Sequence, residues 1–365
     1  MTRMTLHEAF HLNPKVSLSK GTVAPFVDMA TLRPFTRDVR ATVKKTYSGG
    51  TKFCNGDVLM ARITPSLENG KTSIYRAVPG FTGPAFGSTE FIVIRGREGV
   101  SDSLFAYYIF TSDKVREYAI SSMNGSSGRQ RVQPDSLATF QFDLPPLDEQ
   151  RAIATTLGAL DDKIESNRRA CGILWSVIEA TWEKRTLETS LRPLGDVLEL
   201  VYGKSLPAVK RTHGSVPVYG SNGITGWHNE SLVTGPVVVV GRKGSIGEVH
   251  WSHVSSFPID TTFYVRSRNS YPLVACYLAL QKAGLRSMNS DSAIPGLNRD
   301  RALQVKVALP VLREAAEWAR NAEILVTQVA TIEQQTVTLE ALRNNLMPEL
   351  LSGRIQVPTA AEVIS

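Results

Sequence analysis

The sequence has few of the features that mark secreted, membrane-spanning or metal-binding chains. It contains three cysteines, Cys54, Cys171 and Cys276, an odd number without any CxxC pair. This usage argues against a disulfide framework and a structural zinc site, and it is typical of a reduced, cytosolic protein. The first residues lack the apolar segment of a signal peptide, and no apolar run approaches the ~20 residues needed to span a bilayer. We therefore expect a cytoplasmic protein that does not associate with a membrane.

Nucleotide-binding and methyltransferase motifs are also incomplete. Gly70-Lys71-Thr72 and Gly203-Lys204-Ser205 resemble the end of a phosphate-binding loop. The glycine required five residues earlier is Pro65 in the first case and Leu198 in the second, so neither segment can form the loop. The tetrapeptides Asn-Pro-Pro-Tyr and Asp-Pro-Pro-Tyr, expected of an amino-methyltransferase, are absent from the sequence.

A nuclease-like metal site is suggested only superficially. Pro134-Asp135 followed by Asp161-Asp162-Lys163 has the right residue types. The second half falls in a helical pattern, where Asp162 and Lys163 are expected on a solvated face. No histidine pair has the spacing of metal ligands. We therefore predict a chain without catalytic residues and without a metal site.

The most informative feature present is an internal repeat with an offset of about 165 residues. Leu144-Pro145-Pro146-Leu147 and Leu309-Pro310-Val311-Leu312 each open a long heptad-patterned segment. Heptad stripes of this length predict two long helices that can pair with each other along an apolar seam. Arg343 is the one residue that interrupts the second stripe. The predicted seam comprises Ile153, Leu157, Leu160, Ile164, Leu174, Ile178, Trp318, Leu325, Val329, Leu339 and Leu346.

The repeat continues more weakly upstream of each helix. The segment 56–62 is echoed by 235–242, and Thr89, Phe91 and Val93 are matched by Thr261, Phe263 and Val265. The distance in sequence between matching residues changes along the chain. This change indicates loop insertions between secondary-structure elements that both copies share. We therefore predict an α+β fold with two similar mixed α/β domains and two long antiparallel helices related by a pseudo-two-fold repeat. The predicted segments are domain 1 (1–146), the central helix (147–190), domain 2 (191–311), the distal helix (312–353) and a C-terminal tail (354–365).

Charge is segregated between the predicted domains and helices. Residues 1–146 carry 18 Lys+Arg against 12 Asp+Glu, and residues 191–311 carry 13 against 7. Residues 147–190 and 312–365 are instead mildly acidic, with 6 against 8 and 4 against 7. Basic domains suit a polyanionic partner such as DNA. The alternative is that a small positive excess is ordinary for domains of this size.

Basic and amide side chains cluster in equivalent loops of the two copies, where sequence-specific DNA contacts would arise. Each loop taken singly could equally be a solvated surface loop, but paired occurrence favours DNA binding. The paired segments include 62–66 and 242–245, as well as 126–131 and 294–299. The candidate DNA contacts are Arg62, Thr64, Ser66, Lys71, Arg129, Gln130, Arg131, Tyr219, Ser221, Asn222, Arg242, Lys243, Ser245, Asn298 and Arg299.

Several segments of the sequence resemble the specificity subunits of type I restriction–modification systems. Together these segments cover nearly the whole length of the chain. Residues 144–153 followed by Leu160-Asp161-Asp162-Lys163-Ile164 are similar to the central conserved helix of that family, and residues 346–355 resemble the end of its distal helix. Residues 218–223, 241–245 and 258–262 look like its second target-recognition domain. The second helix opening, residues 310–315, lacks the Glu-Gln of the first. The two helix starts are therefore expected to be unequal for partners.

The resemblance implies a DNA-binding subunit that has no chemistry of its own. Each domain would recognise one half of an asymmetric, bipartite target in double-stranded DNA, and the helices would set the spacing between the halves. Two modification subunits that methylate adenine with S-adenosylmethionine would bind the helices, and translocating restriction subunits would use ATP. Neither cofactor would bind this chain.

Two other classes stay open on sequence alone. A coiled-coil scaffold without DNA specificity would need the same helices but not the paired basic loops. A fused restriction–methylation enzyme would need the catalytic motifs that the sequence lacks.

Overall fold

The computed structural model describes residues 1–126, 128–288 and 296–358. Contacts divide the chain into two compact units. Unit 1 comprises Met1–Ser166 and Thr336–Ser365, and unit 2 comprises Asn167–Gln335. Each long helix thus contributes one half to each unit. The domain boundaries predicted above stay predictions.

Unit 1 is a mixed α/β structure built from short strands and helices. Its strands are β1 (Thr2–Thr5), β2 (Phe10–Leu12), β3 (Val23–Val27), β4 (Asp38–Val39), β5 (Val43–Thr46), β6 (Thr51–Phe53), β7 (Val58–Ala61), β8 (Thr72–Tyr75), β9 (Ala85–Gly87), β10 (Phe91–Gly96) and β11 (Gln141–Leu144). Its helices are α1 (Leu6–Ala9), α2 (Ser103–Thr111), α3 (Asp113–Ser121), α4 (Pro134–Ala138), the first half of α5 (Leu147–Thr186) and the second half of α8 (Leu312–Leu351).

Unit 2 has a similar composition of elements. Its strands are β12 (Leu191–Pro193), β13 (Leu198–Tyr202), β14 (Val216–Gly220), β15 (Gly223–His228), β16 (Val237–Gly241), β17 (Val249–Ser252), β18 (Phe257–Pro258), β19 (Thr262–Ser267) and β20 (Lys306–Ala308). Its further helices are α6 (Leu273–Lys282), α7 (Arg299–Gln304) and the first half of α8 (Leu312–Leu351).

The two units share one strand topology. In unit 1 a sheet has the order β2-β10-β7-β8, with β4 added at its edge, and in unit 2 the order is β13-β19-β16-β17. A second sheet pairs β3 antiparallel with β5 and parallel with β9, just as β14 pairs with β15 and β18. The end strands also pair, β1 with β11 and β12 with β20. The predicted fold class, with a repeated mixed α/β domain and long helices, is confirmed.

The four-residue strand β7 and the five-residue strand β16 are buried along their whole length, which explains why their sequences are continuously apolar. They lie in the middle of their sheets, with α2 packed against β7 in unit 1 and α6 against β16 in unit 2. Each central strand therefore fixes the position of the loop that follows it, and the candidate arginines stand at the start of those loops.

In unit 2 the second half of α5 and the first half of α8 run antiparallel. The rings of Trp182 and Trp318 lie 4.7 Å apart between centroids, and the Cys171 thiol lies 4.0 Å from the Val329 carbonyl oxygen. Asn167 donates a hydrogen bond of 3.0 Å to Gln335. Trp182 is buried at this end of the helix, and the neighbouring Thr181 is exposed but accepts a 3.2 Å hydrogen bond from the indole N–H of Trp318.

In unit 1 the corresponding helix halves also pack, and Arg343 has a specific partner. Its guanidinium donates a 2.7 Å hydrogen bond to the buried carboxylate of Asp161. Ile153 and Leu157 are buried in the same core as Leu350, with Leu346 packed against it. The interruption of the second apolar stripe is thus an internal ion pair.

Gln150 anchors the start of α5 inside unit 1. Its side chain is fully buried, donates to the carbonyls of Val100 and Pro145 at 2.9 Å, and accepts from the Asp102 amide at 3.0 Å. The equivalent position in the second copy is Ala315, which is also buried. The Glu-Gln difference between the copies therefore changes how each helix is held by its own unit.

Two local features concern where helices break and end. Residues 103–120 form α2 and α3, because Ser112 adopts an extended backbone conformation between them. The helix α8 contains Pro348 and continues to Leu351. Gly353, at a left-handed φ of 72°, follows that end and accounts for the chain turning away.

Candidate nucleic-acid interface

In unit 1 the loops predicted to contact DNA lie side by side. The Arg62 amide, directly after β7, donates to the Glu90 carbonyl at 3.0 Å, and the Val132 amide donates to the Arg62 carbonyl at 2.9 Å. The Thr64 amide donates to the Gln130 carbonyl at 3.0 Å. The structure thus brings the loop 62–66 together with residues 129–133, which lie about 65 residues further along the chain.

Unit 2 repeats this arrangement in its own residues. The Arg242 amide, directly after β16, donates to the Thr261 carbonyl at 2.9 Å, and the Leu297 amide donates to the Arg242 carbonyl at 2.8 Å. In both units the first acceptor immediately precedes the adjacent strand, β10 or β19, and the second donor lies two residues before α4 or α7. Arg62 and Arg242 therefore occupy equivalent positions in two equivalent frameworks.

The turn after Arg242 is unusually tight. A Cβ atom on Gly241 would lie 2.1 Å from the Ser245 carbonyl oxygen, so only glycine fits at the end of β16. Lys243 is exposed and Ser245 is half-buried. The turn therefore places one cation at the surface directly beside Arg242.

The environments of the two arginines differ. Arg62 donates from Nη2 to the Gln133 side chain at 2.9 Å, and its buried Nε has no hydrogen-bond partner within the described chain. Arg242 donates from Nη2 to the Asp260 carbonyl at 2.6 Å and lies over the ring of Tyr202, 5.3 Å from its centroid. The first guanidinium is held by an amide, and the second by a carbonyl and an aromatic face.

Tyr202 gathers two predicted contacts in unit 2. It ends β13 with half of its surface exposed, and the guanidinium of Arg299 also lies over its ring, at 5.7 Å. Cation–π contacts of this kind hold arginines in place while leaving their N–H groups available. Sequence reasoning missed Tyr202. The available signal was an aromatic residue at the end of a strand, directly before Gly203-Lys204.

Several of the candidate DNA contacts use some of their hydrogen-bonding groups within the protein, where these bonds hold the loops in place. The Asn298 side chain accepts from the Arg301 amide at 3.0 Å and caps α7, and the Thr64 hydroxyl donates to the Met123 sulfur at 3.5 Å. The Lys71 ammonium donates to the Met29 carbonyl at 3.0 Å. The Ser66 carbonyl accepts from the Lys71 amide at 3.1 Å.

Arg131 is held by an ion pair rather than presented freely. It donates to both carboxylate oxygens of Glu90, with distances of 2.7 to 3.0 Å. The hydrogen bonds from Arg131 lower the pKa of Glu90, because they favour its charged form. Arg131 therefore stabilises the loop, whereas Arg129 is exposed and Gln130 is half-buried beside it.

Tyr219 does not fit the expected role of a direct contact. Its side chain is 7% exposed, because it lies in β14 and packs against Val237 and Val239. In the following turn Asn222 is exposed, and the Ser221 carbonyl faces His250 Nε2 at 3.3 Å. The predicted loops 126–131 and 294–299 also include residues 127, 294 and 295, which lie outside the described residues.

Two other kinds of site are absent from the described ranges. No group of three or more His, Cys, Asp or Glu residues there could hold a metal ion. No helix in the same ranges is long and apolar enough to cross a bilayer.

Comparison with known families finds a match in the first half of the chain. Residues 12–170 match the type I restriction modification DNA specificity domain. This part of the chain is also similar to the specificity subunits of two type I restriction enzymes of Escherichia coli, EcoEI (31% identical over 168 residues) and EcoAI (30% over 169). The matches cover 43% and 44% of this chain but only 27% and 28% of those relatives.

A structural comparison extends the similarity to nearly the whole chain. The S subunit of a type I restriction-modification system from M. genitalium superposes with a TM-score of 0.58, covering 96% of this chain and 95% of that one. The sequences are 17% identical, so this likeness concerns the fold. Residues 12–170 are similar to the type I DNA specificity domain, which confirms the resemblance inferred from the sequence.

Proposed function

We propose that the chain is a DNA-binding specificity subunit of a type I restriction–modification complex, without catalytic activity of its own. One observation carries this proposal. Arg62 and Arg242 stand after equivalent central strands and are fixed by the same two backbone hydrogen bonds in each unit. The same backbone hydrogen bonds are found in both units, whereas the side chains on the loops differ. This arrangement suits a protein in which each unit recognises a different base sequence.

The two units are proposed to recognise different half-sites. Arg62 is held beside Gln133, whereas Arg242 and Arg299 flank Tyr202, so the groups available for base contacts differ. Arginine commonly recognises guanine by two hydrogen bonds in the major groove, and amide side chains recognise adenine. The target is then asymmetric and bipartite, and the long helices set the gap between its halves.

The proposed partners follow from the class of protein. Two modification subunits bind the helices and methylate adenine with S-adenosylmethionine, and restriction subunits join them and use ATP. Both cofactors belong to those partners. The exposed Ile173, Val177 and Ile324 on α5 and α8 are apolar surface that such subunits could cover.

A gel-shift assay tests the proposal. The full chain is mixed with a pool of random duplex DNA, with and without its modification subunits, and the retained DNA is sequenced. We expect enrichment of one bipartite sequence, most strongly in the complex. A complex that assembles but retains all sequences equally would identify the chain as a scaffold without DNA specificity.

A further inference from the structure

A cavity of about 360 Å³ in unit 2 is lined by aromatic side chains and a single carboxylate. Trp175 from α5, Trp251 from β17 and Tyr277 from α6 form one wall. Their ring centroids lie 6.1 Å (Trp175–Trp251), 5.3 Å (Trp175–Tyr277) and 5.7 Å (Trp251–Tyr277) apart. Glu333 from α8 and the half-exposed Ile224 also line this cavity.

The side chains of Trp251, His253 and Glu333 lie next to one another at the cavity. The indole N–H of Trp251 donates to His253 Nδ1 at 3.1 Å, and because an indole nitrogen can only donate, Nδ1 must accept. Burial lowers the pKa of His253, so the ring is neutral at pH 7. The remaining ring proton then resides on Nε2, which lies 3.4 Å from a carboxylate oxygen of Glu333.

The charge of Glu333 is not neutralised by this contact. Among the described residues, His253 is the only basic side chain within ion-pair distance of Glu333, and that ring is neutral. Partial burial raises the pKa of Glu333, which shows that its surroundings disfavour the charged carboxylate. Its side chain keeps 52% of its surface exposed, so the carboxylate can be reached by a ligand.

We propose that this cavity binds an organic ammonium cation, with the alkylammonium group against the aromatic wall and paired with Glu333. Ring faces attract a cation within about 6 Å of their centroids, and this attraction strengthens where water is excluded. The volume is at the lower end of small-molecule sites, which fits an alkylamine. The carboxylate would repel a DNA phosphate, so the cavity does not continue the proposed DNA interface. The inference stands whether or not the chain binds DNA.

Titration of the full chain with n-butylammonium at constant ionic strength tests the site. Calorimetry measures affinity, and the fluorescence of the tryptophans reports contact with the ring faces. We expect saturable binding that is weakened about 10-fold in Glu333→Gln, which keeps the shape but removes the charge. Trp251→Leu should weaken binding by about 3- to 30-fold. Glu323→Gln removes the same charge from an exposed position of α8 outside the cavity and should bind as the wild type does.

Spermidine and the methylamide of Nα-acetyl-lysine distinguish a free polyamine from a lysine side chain of a partner, according to which binds more tightly. Thermal melting of each variant distinguishes loss of binding from loss of folding. If Trp251→Leu does not fold, the test rests on Glu333→Gln. Absence of saturable binding by every ammonium probe, or equal affinity in the wild type and Glu333→Gln, would overturn the proposal. A Glu333-dependent response to duplex DNA but to no ammonium probe would assign the cavity to nucleic acid instead and would also overturn it.

Discussion

The guanidinium of Arg343 donates to the carboxylate of Asp161 at 2.7 Å, with side chains only 13% and 5% exposed. The Tyr108 hydroxyl donates to the other oxygen of Asp161, also at 2.7 Å. The arginine that interrupts the apolar stripe of α8 therefore forms an ion pair with a buried aspartate on α5. A buried ion pair of this kind favours one pairing register, because a shifted register would leave both charges without partners.

Removing one member of this pair should destabilise the protein strongly. Asp161→Ala leaves Arg343 buried without its counter-ion, and we expect a loss of about 3–5 kcal/mol in the free energy of unfolding. Urea denaturation followed by circular dichroism measures it. Asp148→Ala, which removes an exposed partner of Arg151, serves as the control and should cost at most about 1 kcal/mol. Equal effects of the two substitutions would contradict the assigned role of Asp161.

The helix seam in unit 2 allows a similar test with a matched control. Val329 is fully buried, whereas Ile324 on the same helix is 59% exposed. Val329→Asp should cost several kcal/mol, because a charge would be placed in the core without a partner. Ile324→Asp introduces the same charge at the surface and should change stability by less than about 1 kcal/mol. A similar melting temperature for both variants would refute the assignment of Val329 to the seam.

The sequence was sufficient for the repeat but not for the polar contacts that fix it. Ile153, Leu157 and Val329 could be placed in the seam because burial follows helical periodicity. The partner of Arg343 could not be found, since Asp161 lies far away in sequence and carries no local signal of burial. Asp162, taken as a solvated residue, has an exposed side chain that nevertheless pairs with the buried Arg37.

In the candidate interface, too, some residues could be identified from the sequence and others could not. Arg62 and Arg242 could be chosen because each ends an apolar strand and opens a polar loop. Tyr202 was missed, because its contact with Arg242 and Arg299 depends on how three distant segments meet. Tyr219 was misjudged for a related reason: a tyrosine beside a glycine-rich turn suggests exposure, yet its position in β14 places it in the core.

Glu90 should make stability depend on pH. Its pKa is lowered in the folded protein by the hydrogen bonds from Arg131, so the ion pair stabilises the native state above the pKa of an unfolded glutamate. This contribution is lost as pH falls through the lowered pKa. We expect wild type to exceed Glu90→Gln in stability at pH 7, by at most about 1 kcal/mol because the pair is partly exposed, and the difference to vanish at strongly acidic pH. A difference that grows as pH falls would contradict this.

We expect Arg242 to contribute to DNA binding, and its substitution distinguishes a contact with a base from a contact with a phosphate. If the guanidinium recognises a guanine, Arg242→Ala should cost about 1–3 kcal/mol and relax one position of one half-site. If it contacts only phosphate, binding should weaken on all sequences and the salt dependence should decrease by about one unit of slope. Arg266→Ala, at an exposed position of β19, is the control of equal charge. Loss of binding equal to that of the control would exclude a specific role for Arg242.

Each unit is proposed to recognise its own half of the DNA target. Because well-separated contacts contribute independently, exchanging one domain should alter one half alone. The direct measurement replaces residues 1–146 with the equivalent domain of a relative, co-expresses the chimera with its modification subunits, and maps methylated adenines across the host genome. We predict that one half of the methylated sequence changes while the other half is retained. A chimera that assembles and methylates but rewrites both halves, or neither, would contradict the account.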